Sequence, residues 1–233
     1  MRKIDPQGVL DDFKNQLSDQ ADYYSASWQA LDDADHRKIA TESYAIAIGV
    51  MFEGFVNDLI FAYANRDCSR VMLHLEESVR ASVRDNKKAE RAYSKFCDFR
   101  VRKHLSRDEL RSILDPEGRN TSFPQFSAIE DRARQWLADI HRDKFLHLSA
   151  QRRAVIDAVI AVRNNLAHRS QSSLDRLNEA MAAGALHGTG LQRNVNRIQQ
   201  AGHYLKSRPG AGEETRADVL GRLLEDAAEH LVV

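Results

Sequence analysis

Arg163-Asn164-Asn165-Leu166-Ala167-His168 is the stretch of this 233-residue chain whose residue types are suited to chemistry. A guanidinium holds a phosphate through a planar fork of donors. An imidazole moves protons near neutral pH. An arginine, an amide and a histidine on one short segment are therefore a minimal kit for metal-free cleavage of a phosphodiester that carries its own 2′-hydroxyl. The same residues also suit a helix C-terminus, where histidine meets the helix dipole favourably and asparagine closes the last turn.

Spacing limits what one copy of the segment can do. At about 100° per residue, Asn164 and His168 stack on one face, where the amide can orient the imidazole. Arg163 lies roughly 140° from His168, on the flank of the apolar stripe Val155, Val159, Val162 and Leu166. One helix does not converge the two groups, whereas two copies across a twofold axis can.

The elements that must position them read as helices throughout. Only 4 Pro and 11 Gly, with long runs of Ala, Leu, Arg, Glu and Asp, point to an all-α class. Apolar periodicity predicts helices over 9–31 and 37–65, the second with a stripe at Ile48, Phe52, Phe55 and Leu59. Basic helices are expected over 69–101 and 107–114, ended by Asp115-Pro116-Glu117-Gly118. A loop over 120–126 precedes a helix over 127–141 with an Ala128, Trp136, Leu137, Ile140 face. Ser149 reads as the N-cap of a helix running to about His168. Six of the 11 glycines fall between 184 and 212. Short helices are expected there over 172–183 and 194–207, then a Pro-Gly turn and a closing helix over 214–231. The domain reading is a helical bundle over 1–170 with a small C-terminal helical extension, 171–233, packed on it.

Composition excludes little by itself. Apolar content of 42% with 29% charged residues fits a globular protein, and the formal net charge of zero removes any bulk electrostatic case for nucleic acid. Charge is nonetheless segregated. Residues 80–111 carry eleven Lys or Arg against five Asp or Glu, and residues 180–212 hold Arg193, Arg197, Lys206 and Arg208 without an acid. Those four, with Arg169, are candidate RNA-backbone contacts, and Tyr204 is a candidate base-stacking ring. A solvated helix face gives the same pattern. Cys68 and Cys97 match no metal spacing and read as reduced thiols, which with the absence of an apolar leader in MRKIDPQG points to a cytoplasmic setting. The apolar run from Tyr44 to Phe52 is short and is followed by Glu53, Asn57 and Asp58, so it reads as a buried helix without a membrane role. No cofactor motif is present, and the remaining histidines show no HExxH pattern, so no metal is expected. His141-Arg142-Asp143 copies a kinase tripeptide without a Gly-rich loop. Gly188-Thr189-Gly190 reads as a plain loop. No compact helix-turn-helix is evident.

The segment AVIDAVIAVRNNLAHRS, with Arg163 and His168 five positions apart at the end of an apolar helix, resembles the Arg-x(4–6)-His signature of the HEPN superfamily. Phe52-Glu53-Gly54-Phe55-Val56-Asn57-Asp58-Leu59-Ile60 resembles the long core helix of the bacterial branch of RiboL-PSP-HEPN and MAE-type proteins. Asn120-Thr121-Ser122-Phe123 also fits that branch, and the likeness spans roughly residues 35–170. It implies a HEPN-like helical bundle that forms a homodimer with a composite active site and acts as a metal-independent endoribonuclease. His168 would act at the RNA 2′-hydroxyl, Arg163 would hold the scissile phosphate, and Asn164 would position either group. The products would carry 2′,3′-cyclic phosphate ends. Apart from the resemblance, Glu53 is a candidate support for Arg163 from the neighbouring helix, and equally reads as a half-buried helix carboxylate satisfied locally. Toxins and abortive-infection effectors of this kind imply an antitoxin or defence-system partner. Arg169-Ser170 stands here where toxins with a modifying antitoxin carry a tyrosine. Other members are non-catalytic dimeric scaffolds that bind a partner protein or a nucleotide.

Overall fold

A computed structural model describes residues 3–98, 102, 104–117 and 122–232. Among these residues there are eleven α-helices, one 3-10 turn and no strand. The protein is all-α.

Helices α1 (Pro6–Ala30) and α2 (Ala34–Arg66) form an antiparallel pair. Asp33 sets the corner by accepting hydrogen bonds from the backbone N–H groups of Asp35 and His36, an N-cap that satisfies two orphan donors. The pairing is aromatic at both ends. Phe13 stacks on Phe55 at 4.7 Å, and Tyr24 stacks on Tyr44 at 4.6 Å with the rings 9° apart. The expected stripe Ile48, Phe52, Phe55, Leu59 is buried, and it makes α2 the central rod of the core. Counted over an 18-residue window rather than the Tyr44–Phe52 run alone, α2 reaches a mean hydropathy of 1.7, long and apolar enough by composition to cross a bilayer. In this fold 56% of that window is buried inside the protein.

Two expected helices are each two. The segment read as one helix over 69–101 divides into α3 (Ser69–Val83) and α4 (Lys87–Phe96). Asn86 causes the break by capping the N–H groups of Lys88 and Ala89 with its side chain. After α5 (Arg107–Leu114), the helix expected over 127–141 divides into α6 (Phe126–Trp136) and α7 (Asp139–Leu146). Leu137 is drawn fully into the core at the joint. The register is lost there, and Ile140, expected on the core face, is 74% exposed.

Helix α8 (Ala150–His168) has the expected bounds, with the Ser149 side chain accepting from the Arg152 N–H. Val155, Val159, Val162 and Leu166 are buried against α2. Helices α9 (Gln171–Ala180), α10 (Ala201–Lys206) and α11 (Arg216–Glu229) follow. The helix expected over 194–207 is confined to α10. Asn178 of α9 explains this: its amide pairs with both the N–H and the C=O of Ile198, holding that backbone extended. The C-terminal helices join the same core. Tyr63 donates to the carbonyl of Leu231 at 2.7 Å, and Arg152 bonds Asp226 at 2.8 Å, tying α2 and α8 to the end of the chain.

Candidate functional site

Arg163 leaves the flank of α8 toward α2 at Gly49, where α2 carries no side chain. A Cβ on Gly49 would stand 2.8 Å from the Cβ of Arg163 and 3.1 Å from its Cγ, closer than side chains tolerate. The missing side chain lets the arginine stem lie across α2 and its head reach Glu53, one turn further on. The guanidinium donates to Glu53 Oε2 at 2.8 Å and, from its other terminal nitrogen, to Asn164 Oδ1 at 2.8 Å. Both members of the ion pair are mostly covered, at 28% and 20% exposure. Such partial desolvation makes the pair stronger than a surface ion pair, and it fixes the plane of the fork.

A narrow pocket, with room for little more than a water molecule, lies beside this pair. Phe52, Val56, Phe123, Ile129 and Ile160 line it with apolar surface, and Glu53, Arg163 and Asn164 are its polar groups. Phe123 is the described end of the stretch Asn120–Phe123; Asn120 and Thr121 lie outside the described residues.

The expected contact from Glu53 to Arg163 is therefore present. Asn164 behaves differently from the geometric expectation, because its carbonyl oxygen is taken by Arg163 and not by His168. His168 stands in the last turn of α8, exposed, without a hydrogen bond or ion pair among the described residues. The helix also ends as a cap predicts. Arg169 adopts φ 50°, the only non-glycine residue with positive φ among those described, and its N–H donates to Asn165 O at 2.8 Å. Within one chain the structure does not bring Arg163 and His168 together.

The basic candidates divide. Arg169 is 79% exposed and 3.7 Å from Glu42. Arg193 is a structural brace, donating to the carbonyls of Asn178, Asn194 and Val195. Arg197 lacks acids in its own segment but pairs with Asp175 from α9, a partner the local sequence hides. Lys206 donates to Ala34 O at 2.9 Å, and Arg208 is exposed. Tyr204 is not a free stacking platform. Its hydroxyl donates to Leu191 O, and Arg216 covers its ring at 4.7 Å. Among the described residues no group of three or more His, Cys, Asp or Glu is placed to hold a metal ion. Cys68 is buried and bonds Arg102 O, with its thiol pKa raised by burial, while Cys97 is exposed.

Gly49 is the functional residue that sequence reasoning passed over. Its signal was a glycine one turn before Glu53, within the apolar run from Tyr44 to Phe52. In comparisons with family models, curated proteins and solved structures, nothing matches this chain significantly.

Proposed function

We propose that this protein is a metal-independent endoribonuclease whose active site is completed by a second copy of the chain, acting as a toxin or antiviral effector. The observation that carries the reading is the bracing of Arg163. A guanidinium held in plane by Glu53 and Asn164 at the mouth of a pocket is prepared to receive a phosphate, while His168 on the same helix has no other engagement. Preorganised charge of this kind stabilises the pentacovalent transition state without reorganisation during the reaction.

In the proposed reaction His168 accepts the proton of the 2′-hydroxyl as its oxygen attacks phosphorus. The new 2′-O–P bond closes the cyclic phosphate as the P–O5′ bond breaks. The departing 5′-oxygen takes a proton from water, and Arg163 offsets the charge gathering on the phosphoryl oxygens. A twofold arrangement of two α8 ends supplies the Arg163 and His168 that one helix separates.

RNA incubated with the protein in excess EDTA tests this. Cleavage to cyclic phosphate ends is expected, with Arg163→Ala and His168→Ala each losing roughly 10²-fold or more. Loss of cleavage on EDTA addition, or indifference to both substitutions, contradicts the reading. One observation favours a second reading, a non-catalytic dimeric scaffold: Glu53 already occupies one edge of the guanidinium and balances its charge. A dimer that cleaves no RNA under any condition supports the scaffold.

A further inference from the structure

A second pocket, of about 680 Å³ with its mouth included, opens directly after the end of α8, between α2, the α8–α9 turn and the entry to α10. Leu166 and Leu174 give it apolar surface, and Lys38, Glu42, Arg169 and Gln200 are among its polar groups. Lys38 has no ion pair or hydrogen bond among the described residues, and neither does the side chain of Gln200, which caps nothing at the start of α10. Arg169 is anchored by its backbone turn, and its exposed head lies 3.7 Å from the Glu42 carboxylate. Glu42 is held in place by a close approach: a Cβ on Gly202 would collide with its carboxylate, so glycine alone lets α10 close over it.

Two apolar surfaces for the face of a ring, an acceptor, an amide and two cations within one small pocket are the groups that bind a nucleotide. Leu166 and Arg169, on either side of His168 in the sequence, both line the pocket, and His168 itself does not. We propose that it is the subsite for the nucleotide flanking the scissile phosphate, and that it selects bases carrying an exocyclic amine. Lys38 takes the phosphate, Leu166 and Leu174 take the ring, Gln200 bonds a base edge, and Arg169 holds the Glu42 carboxylate beside it. Glu42 sets the preference, because a carboxylate accepts from the exocyclic amine of adenine or cytosine and is repelled by the carbonyl oxygen that uracil carries in place of the cytosine amine. The place of this subsite along an RNA rests on the ribonuclease reading; its capacity to bind a nucleotide does not.

Calorimetric titration of the full chain with AMP, CMP and UMP tests the subsite apart from catalysis. AMP and CMP are expected to bind more tightly than UMP. Lys38→Ala and Gln200→Ala, both at solvent-accessible positions, are expected to weaken AMP binding by roughly tenfold, the scale of a charge-assisted hydrogen bond. Glu42→Gln is expected to level the three affinities. Equal binding of all three nucleotides, no binding by the folded wild type, or binding untouched by Lys38→Ala and Gln200→Ala overturns the subsite. Parallel cleavage assays separate the two claims. Nucleotide binding with this pattern but no RNA cleavage leaves the subsite standing and removes the ribonuclease. Cleavage that needs Arg163 and His168, with site preference unchanged in Gln200→Ala and Glu42→Gln, removes the subsite and leaves the ribonuclease.

Discussion

Gly49 and Arg163 touch across the α2–α8 interface so closely that a single methyl group at position 49 would stand 2.8 Å from the arginine Cβ. Gly49→Ala therefore sets two effects against each other. Alanine favours a helix interior over glycine by about 0.5–1 kcal/mol, whereas overpacking a filled interface costs about 1–3 kcal/mol. The steric term is the larger, so Gly49→Ala is expected to lower Tm and to impair whatever Arg163 does. A raised Tm with unaltered activity would show that the close approach has no role.

Glu53 and Arg163 form the pair that holds the fork. With both groups mostly covered, the coupling should exceed that of an exposed pair and fall short of a fully buried one, at about 1–2 kcal/mol. A double-mutant cycle with Glu53→Gln and Arg163→Met, read by chemical denaturation, measures it directly. Additive effects of the two substitutions would mean that Glu53 does not position Arg163.

Much of this arrangement was legible in the sequence, and the exceptions have physical causes. Helix α8 was readable at both ends because a Ser cap, a strict apolar stripe and a polar end all agree. The split between α3 and α4 was hidden because Asn86 sits among good helix formers, and its capping action overrides their propensity. The split between α6 and α7 has no local signal, since Leu137 and Ala138 favour helix and only the core draws Leu137 inward. The extended segment before α10 was likewise beyond local reading, because Asn178, twenty residues away, supplies its hydrogen bonds. Within the site, Glu53 was identified as a partner of Arg163, while the engagement of Asn164 with Arg163 depends on rotamers that spacing does not specify.

His141 stacks on Tyr63 at 4.4 Å, and burial lowers its pKa below the ordinary 6.5, helped by the nearby charges of Lys144 and Arg66 and opposed by Asp67. The unfolded chain then takes up a proton that the fold resists. Stability from this residue is complete above about pH 6.5 and is lost as pH falls from there toward the folded pKa. His141→Phe keeps the ring stacking and is expected to flatten the decline of Tm between pH 7.5 and 5. An unchanged slope would show that this residue does not titrate against the fold.

Asp157 accepts the N–H of Phe126 at 2.6 Å, capping α6 from α8. Burial nevertheless raises its pKa, and Glu130 adds to the rise while the hydrogen bond opposes it. The sign is opposite to that of a paired carboxylate: the cost is absent below 3.8 and grows as pH rises to the folded pKa. Asp157→Asn retains an acceptor for Phe126 and removes the charge. A higher Tm at pH 7 is expected, with the gain vanishing near pH 3. A lower Tm at pH 7 would mean that the charged cap outweighs its desolvation.

In the proposed site, Arg163 of one chain works with His168 of another. The direct measurement is RNA cleavage in EDTA by an equimolar mixture of Arg163→Ala and His168→Ala chains, refolded together and compared with each variant alone. In a mixed dimer one site retains Arg163 from one chain and His168 from the other, so the mixture is expected to cleave RNA although neither variant does. A mixture as inactive as its components, when the wild type refolded in the same way is active, would contradict the shared site.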